Sequence, residues 1–93
     1  MPQSNIFVGS GAEKYIGEIN ADILFFSSQA LSFDGEISDA SEEETSLRRV
    51  MLSRARRKIF LCDSTKLGEC RTFKVCHKDE IDKIICDKAL PWE

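Results

Sequence analysis

Two uninterrupted apolar runs, residues 22–28 (DILFFSS) and 58–63 (KIFLCD), stand on either side of one strongly helical stretch. Each run has strand length and lacks the polar alternation of a half-exposed strand. Each therefore reads as a strand covered on both faces. Strand, helix, strand in that order requires a crossover, and a crossover joins parallel strands. The pattern predicts an α/β fold: an open, mostly parallel sheet with flanking helices.

The helix is expected over 42–57 (EEETSLRRVMLSRARR). Ser41 suits its N-cap, and Glu44 three residues on completes a capping-box pattern. Residues 34–45 hold six acids and no base, whereas 48–58 hold six bases and no acid. Acids at the start and bases at the end both favour the helix macrodipole. Leu47, Val50, Met51 and Ala55 recur at helical spacing and form the expected buried stripe, leaving Arg48, Arg49, Arg56 and Arg57 outward. A basic patch of this kind suits a phosphate or a nucleic acid. It equally suits a solvated, dipole-matched face. The second account is simpler, because the interruptions are apolar at helical period rather than aromatic.

The remaining elements are weaker. Residues 5–9 (NIFVG) form a short apolar run, and 12–19 have helical composition with Tyr15, Ile16 and Ile19 on one face. Residues 29–41 read as a polar loop turning at Asp34-Gly35. Residues 72–76 alternate as an edge strand does, and 83–86 form a final strand.

Composition narrows the function. Ninety-three residues make one domain. Thirteen bases against sixteen acids give a net charge of −3, which argues against a general nucleic-acid binder. No apolar run approaches the roughly 18 residues of a membrane span, and Met1–Asn5 does not read as a signal peptide. The expected compartment is the cytoplasm, with no membrane partner. The four cysteines are expected to be free thiols there. A zinc reading would recruit Cys70, Cys76, His77 and Cys86, whose spacing lacks the tight knuckle of structural sites. Cys62 and Cys86 each end an apolar run and read as buried small residues. No metal and no cofactor is expected.

In an open parallel sheet, ligands bind beyond the carboxyl ends of the strands. Gly9-Ser10-Gly11 and Ser27-Ser28-Gln29 occupy two such positions. The third, Asp63-Ser64-Thr65-Lys66-Leu67-Gly68, is the most informative. Lys66 can place its ammonium on a phosphate or sugar oxygen, and Asp63 can orient it or bind hydroxyls. Alternatively, Asp63 caps its own turn.

Five elements in order carry a family resemblance: Asp22 opening a strand, Gly35–Asp39 (GEISD), Glu43-Glu44 through Arg48-Arg49 and Met51, Asp63–Gly68 (DSTKLG), and EIDKIICD. Together they resemble the effector-sensing domain of DeoR/GlpR-type transcription regulators. The resemblance implies an isomerase/CoA-transferase-like (ISOCOT) sensor fold, here as its C-terminal part across residues 1–93. It implies a phosphorylated sugar or sugar alcohol as effector, with Asp22, Glu44, Asp63 and Lys66 as contacts. It implies homo-oligomers, and operator DNA bound only through an N-terminal helix-turn-helix that residues 1–93 do not show. The family's early phosphate loop is not seen either, so the chain alone is expected to bind effector weakly or not at all. For Asp22 and Glu44 the alternatives are capping roles.

The same order resembles, more remotely, sugar-phosphate isomerases and deaminases. Those enzymes place a catalytic acid cluster where this chain has Ser27-Ser28-Gln29, which cannot move a proton as a carboxylate does. The resemblance therefore implies a repressor's sensor rather than an enzyme. A divergent isomerase or deaminase fragment is the alternative, and a ligand-free adaptor a third.

Overall fold

Strand pairing decides where the elements of this chain begin and end. The computed structural model describes residues 10–92; the strand expected at 5–9 lies outside them. Two helices, α1 (Ser10–Ile16) and α2 (Glu42–Ser53), accompany six strands: β1 (Ala21–Phe26), β2 (Ala30–Leu31), β3 (Glu36–Asp39), β4 (Ala55–Cys62), β5 (Phe73–His77) and β6 (Lys83–Cys86). The strands form two sheets of three. One, ordered β1-β4-β6, is parallel throughout, as the strand–helix–strand pattern predicts. The other, β2-β3-β5, is antiparallel, with β5 at its edge.

The helix expected over 42–57 stops at Ser53. Arg54 caps it, its backbone N–H reaching the Leu52 and Met51 carbonyls. From Ala55 onward the backbone joins the ladder instead, with Ala55 opposite Ala21 and Lys58 opposite Leu24. Tertiary hydrogen bonds thus override the helical composition of RARRK. Ala55 is buried on a strand, and Leu52 takes its place in the helix's buried stripe. Arg56 and Arg57 are strand residues, so no base remains in the last helical turn. Ser41 caps the N-terminus as expected, its hydroxyl accepting from the Glu44 N–H at 3.2 Å.

The polar loop expected over 29–41 is partly a hairpin. Gly35 takes φ of +98° at its turn, a conformation that other residues adopt only with strain. The Gly35 N–H donates to the Ser32 carbonyl at 3.0 Å. The two strands it joins are too short to show alternation in sequence.

The core lies between the sheets and α2. Phe60 and Phe26 pack with centroids 5.2 Å apart and planes at 52°. Leu31, Ile37, Leu52, Cys62, Val75, Cys76 and Leu90 close around them. Trp92 packs against this cluster, and the Lys78 ammonium lies 5.2 Å from its ring centroid.

The expectation of strands covered on both faces needs correction. Phe25 is 57% exposed, and Ile23, Leu61 and Ile85 are also open to solvent. Register explains it. Phe25 sits opposite Ile59 and Leu61 opposite Ile85, so these side chains share one face. Phe26, Phe60 and Ile84 share the other, which α2 and the second sheet cover. The first face is largely open, although Ile59 on its central strand is buried. Tyr15 of α1 is exposed as well, at 68%.

Candidate functional site

Two neighbouring parallel strands end in the same way. β4 runs into Asp63 and β6 into Asp87, and their last residues, Cys62 and Cys86, are register partners. The two carboxylates are therefore delivered side by side at the carboxyl edge of the sheet, where α/β folds bind ligands. A single turn of 3-10 helix, Ser64–Lys66, bridges them. Asp63 Oδ1 accepts from the Thr65 backbone N–H and hydroxyl, both at 2.9 Å. Asp87 Oδ1 accepts from the Ser64 N–H at 2.8 Å, and Oδ2 from its hydroxyl at 3.2 Å. Lys66 closes the turn, its N–H donating to the Asp63 carbonyl at 2.8 Å.

Leu61, Cys62, Asp63, Lys66, Ile85, Cys86 and Asp87 line an open hollow of about 430 Å³ at this edge. Its floor is apolar and its rim carries two carboxylates and one ammonium. The bonds from the Thr65 N–H and hydroxyl hold the Asp63 carboxyl below the usual carboxylate range. Asp63 is thus ionised at neutral pH, one oxygen engaged with the turn. Among the described residues Lys66 makes no ion pair, so its charge is available to an anion.

The four expected contacts are not brought together. Asp63 and Lys66 line the hollow; Asp22 and Glu44 do not. Asp22 is exposed at the amino end of β1, level with the start of β4. At about 3.3 Å per residue, the length of β4 puts it roughly 20 Å from Asp63. Glu44 belongs to a different cluster, its carboxylate 3.4 Å from Arg48. Gly9 lies outside the described residues, and Ser10 opens α1.

That second cluster contains a residue the sequence did not single out as important. Asp39 is fully buried. Its Oδ2 accepts from Arg48 at 2.9 Å and from the Ser28 hydroxyl at 3.1 Å, and its Oδ1 accepts from the Ser41 N–H at 3.0 Å. Arg48, expected outward, is turned inward by this pair. The Ser41 N–H, which a full capping box would give to Glu44, goes to Asp39 instead. Asp39 thus ties β1's end, β3 and the first turns of α2 together. Asp87 was also missed as a site residue. Its signal was present: an acid ends KIIC as Asp63 ends KIFLC.

The cysteines separate by burial. Cys62 and Cys76 are buried, Cys86 is half-buried and Cys70 is exposed. Burial pushes the Cys76 thiol up to about 12. Cys62 rises equally, through burial and a hydrogen bond with Cys86. Cys76 and His77 are successive strand residues and point to opposite faces; Cys70 lies near Glu36 instead, at 3.6 Å. Among the described residues no three histidine, cysteine or acidic side chains form a set that could hold a metal ion. Two outcomes are expected. An aromatic disulfide reagent titrates Cys70 rapidly in the native chain and reaches Cys62 and Cys76 only on unfolding. Stability also falls as pH rises from about 9 to about 12, because the unfolded thiols ionise there while the buried ones do not. Urea midpoints at successive pH values check this, and Cys76→Ala flattens the slope.

No helix among the described residues is long and apolar enough to cross a membrane. A family model described as the DeoR C-terminal sensor domain matches residues 1–88. The HTH-type transcriptional regulator YgbI of Escherichia coli K12 is 32% identical over 84 residues, covering 90% of this chain and 32% of the relative. The HTH-type transcriptional regulator GlpR of Haloferax volcanii is 27% identical over 88 residues, covering 95% and 34%. The L-fucose operon activator of Haemophilus influenzae is 26% identical over 85 residues, covering 91% and 34%. The chain thus spans about a third of the length of these relatives. Family match, parallel sheet and Asp-led loop agree: the chain belongs to the DeoR C-terminal sensor domain family.

Proposed function

We propose that this chain is the effector-sensing part of a cytoplasmic transcriptional repressor that responds to a phosphorylated sugar or sugar alcohol. One observation carries the reading. The carboxyl ends of β4 and β6 present Asp63 and Asp87 side by side, with Lys66 lining the same hollow. Carboxylates accept from sugar hydroxyls, and a lysine ammonium attracts a phosphate as a point charge. Asp63 and Lys66 are the primary contacts. Asp22 and Glu44 contribute only if effector binding reshapes the domain, since neither borders this hollow as it stands.

Operator DNA is bound by a helix-turn-helix elsewhere in the polypeptide, and the sensor acts as a homo-oligomer. Two of the relatives are named as HTH-type regulators, and a third is named for an L-fucose operon, which supports operator binding through a helix-turn-helix. The effector shifts operator affinity by binding one conformation of the sensor better than the other, and tenfold coupling requires about 1.4 kcal/mol of difference. The domain senses and does not catalyse. Ser27, buried Ser28 and Gln29 stand where isomerase-like chains carry catalytic acids, and Ser28 is already engaged with Ser38 and Asp39.

Lys66→Ala in the complete regulator tests this. Effector-induced release from the operator should need roughly tenfold more sugar phosphate or be lost, while operator affinity without effector stays within about twofold. A variant that releases normally removes Lys66 from the site. Micromolar sugar-phosphate binding by residues 1–93 alone would show that no further phosphate loop is required.

A further inference from the structure

A positively charged concavity of this acidic chain lies away from the effector hollow. Arg49 and Ser53 of α2, Lys58 of β4, Lys74 of β5 and Glu80 surround a cavity of about 600 Å³ floored by Leu52, Val75 and Cys76. It shares no lining residue with the hollow at Asp63 and Lys66. Three cations thus converge from three separate elements, in a chain whose net charge is −3.

The local bonds compensate only part of that charge: Asp82, outside the lining, accepts through Oδ2 from the Lys58 backbone N–H at 2.7 Å. The Arg49 guanidinium is pinned by donating to the Lys74 carbonyl, which neutralises nothing. Neither Lys58 nor Lys74 makes an ion pair among the described residues. Glu80 is the single carboxylate in the lining, and its Oε2 already accepts from the His77 N–H at 2.7 Å. The carbonyl end of α2 opposes an anion with about half a charge. That is outweighed by the two net positive charges of the lining. The floor residues Leu52, Val75 and Cys76 are buried, so an anion resting on them is less screened than at the open surface.

We propose that the cavity between Arg49, Lys58 and Lys74 is a second anion site that takes a small phosphoryl dianion. A guanidinium fork suits two phosphate oxygens, and the flanking ammoniums meet the remaining charge without demanding a fixed geometry. Inorganic phosphate and a phosphate ester share this chemistry.

The test is a two-dimensional amide NMR titration of the 93-residue chain with inorganic phosphate, and separately with methyl phosphate, at constant ionic strength. Saturable shifts at Arg49, Lys74, Val75, Cys76 and Glu80, with Kd of about 1 mM or tighter, support the proposal. Tighter binding of methyl phosphate identifies an ester as the ligand; equal or weaker binding identifies the free ion. The pair Lys58→Met and Lys74→Met should weaken binding at least tenfold, with Lys74→Gln alone as the milder substitute should the pair fail to fold. Lys66→Ala should leave these shifts unchanged, so the site stands or falls independently of the effector hollow. Shifts confined to residues 63–66 and 87, insensitivity to Lys58 and Lys74, or a response equal to that of chloride would overturn it.

Discussion

Asp39→Ala is expected to cost about 3–5 kcal/mol, because removing one partner of a buried pair strands the other. Asp39 is wholly buried and Arg48 is four-fifths buried, so solvent does not replace the lost partner. The Ser28 hydroxyl and the Ser41 N–H lose an acceptor in the same step. Against a total stability of about 5–15 kcal/mol, the variant sits near the edge of folding. A melting-temperature drop of roughly 15–30 °C follows for a domain of this size, measured by circular dichroism. A loss below about 1 kcal/mol would show that water takes over the carboxylate's role. The partner change Arg48→Met separates the contributions. In the double variant Asp39→Leu with Arg48→Met, both charges are absent, and much of the loss should be recovered.

Phe60→Ala should cost a similar amount, about 3–5 kcal/mol, by a different route. Phe60 is fully buried at the centre of the parallel sheet and packs on Phe26. Truncation removes apolar burial and leaves a void between two sheets that cannot close on it. The distinction is measurable. Phe60→Leu should recover a large part of the loss, whereas no apolar residue at 39 alone should rescue Asp39→Ala. Urea denaturation of the variants gives both comparisons, and equal losses for Phe60→Leu and Phe60→Ala would count against a packing explanation.

The parallel sheet was legible because its strands are long apolar runs separated by a helix, a pattern with few alternatives. The strand Lys83–Cys86 and the turn at Gly35 were legible from weaker signals. The end of α2 was not, since RARRK has good helical composition and only its pairing with β1 makes it a strand. β2 and β3 were missed because two- and four-residue strands carry no period to read. At the candidate site, Asp63 and Lys66 were legible as the residues following a buried strand. Asp87 escaped notice as their neighbour, because adjacency across β4 and β6 is set by register rather than by sequence distance. Arg48 was misread outright. A charged residue beside a buried stripe reads as solvated until the opposing Asp39 is placed.

The order β1-β4-β6 also governs how the domain comes into being. No two strands of that sheet are adjacent in sequence, and its central strand must find partners from near each end of the chain. Such non-local pairing loses loop entropy before any contact compensates for it, so folding is slow relative to helical domains. A ribosome releasing this chain from its amino end exposes β1 and β4, with their apolar residues, before β6 exists to complete the sheet. Leu90, which closes the core, arrives later still. The nascent chain therefore passes through a stage in which its stickiest surfaces are made and unpaired, the stage at which a chaperone has most to hold.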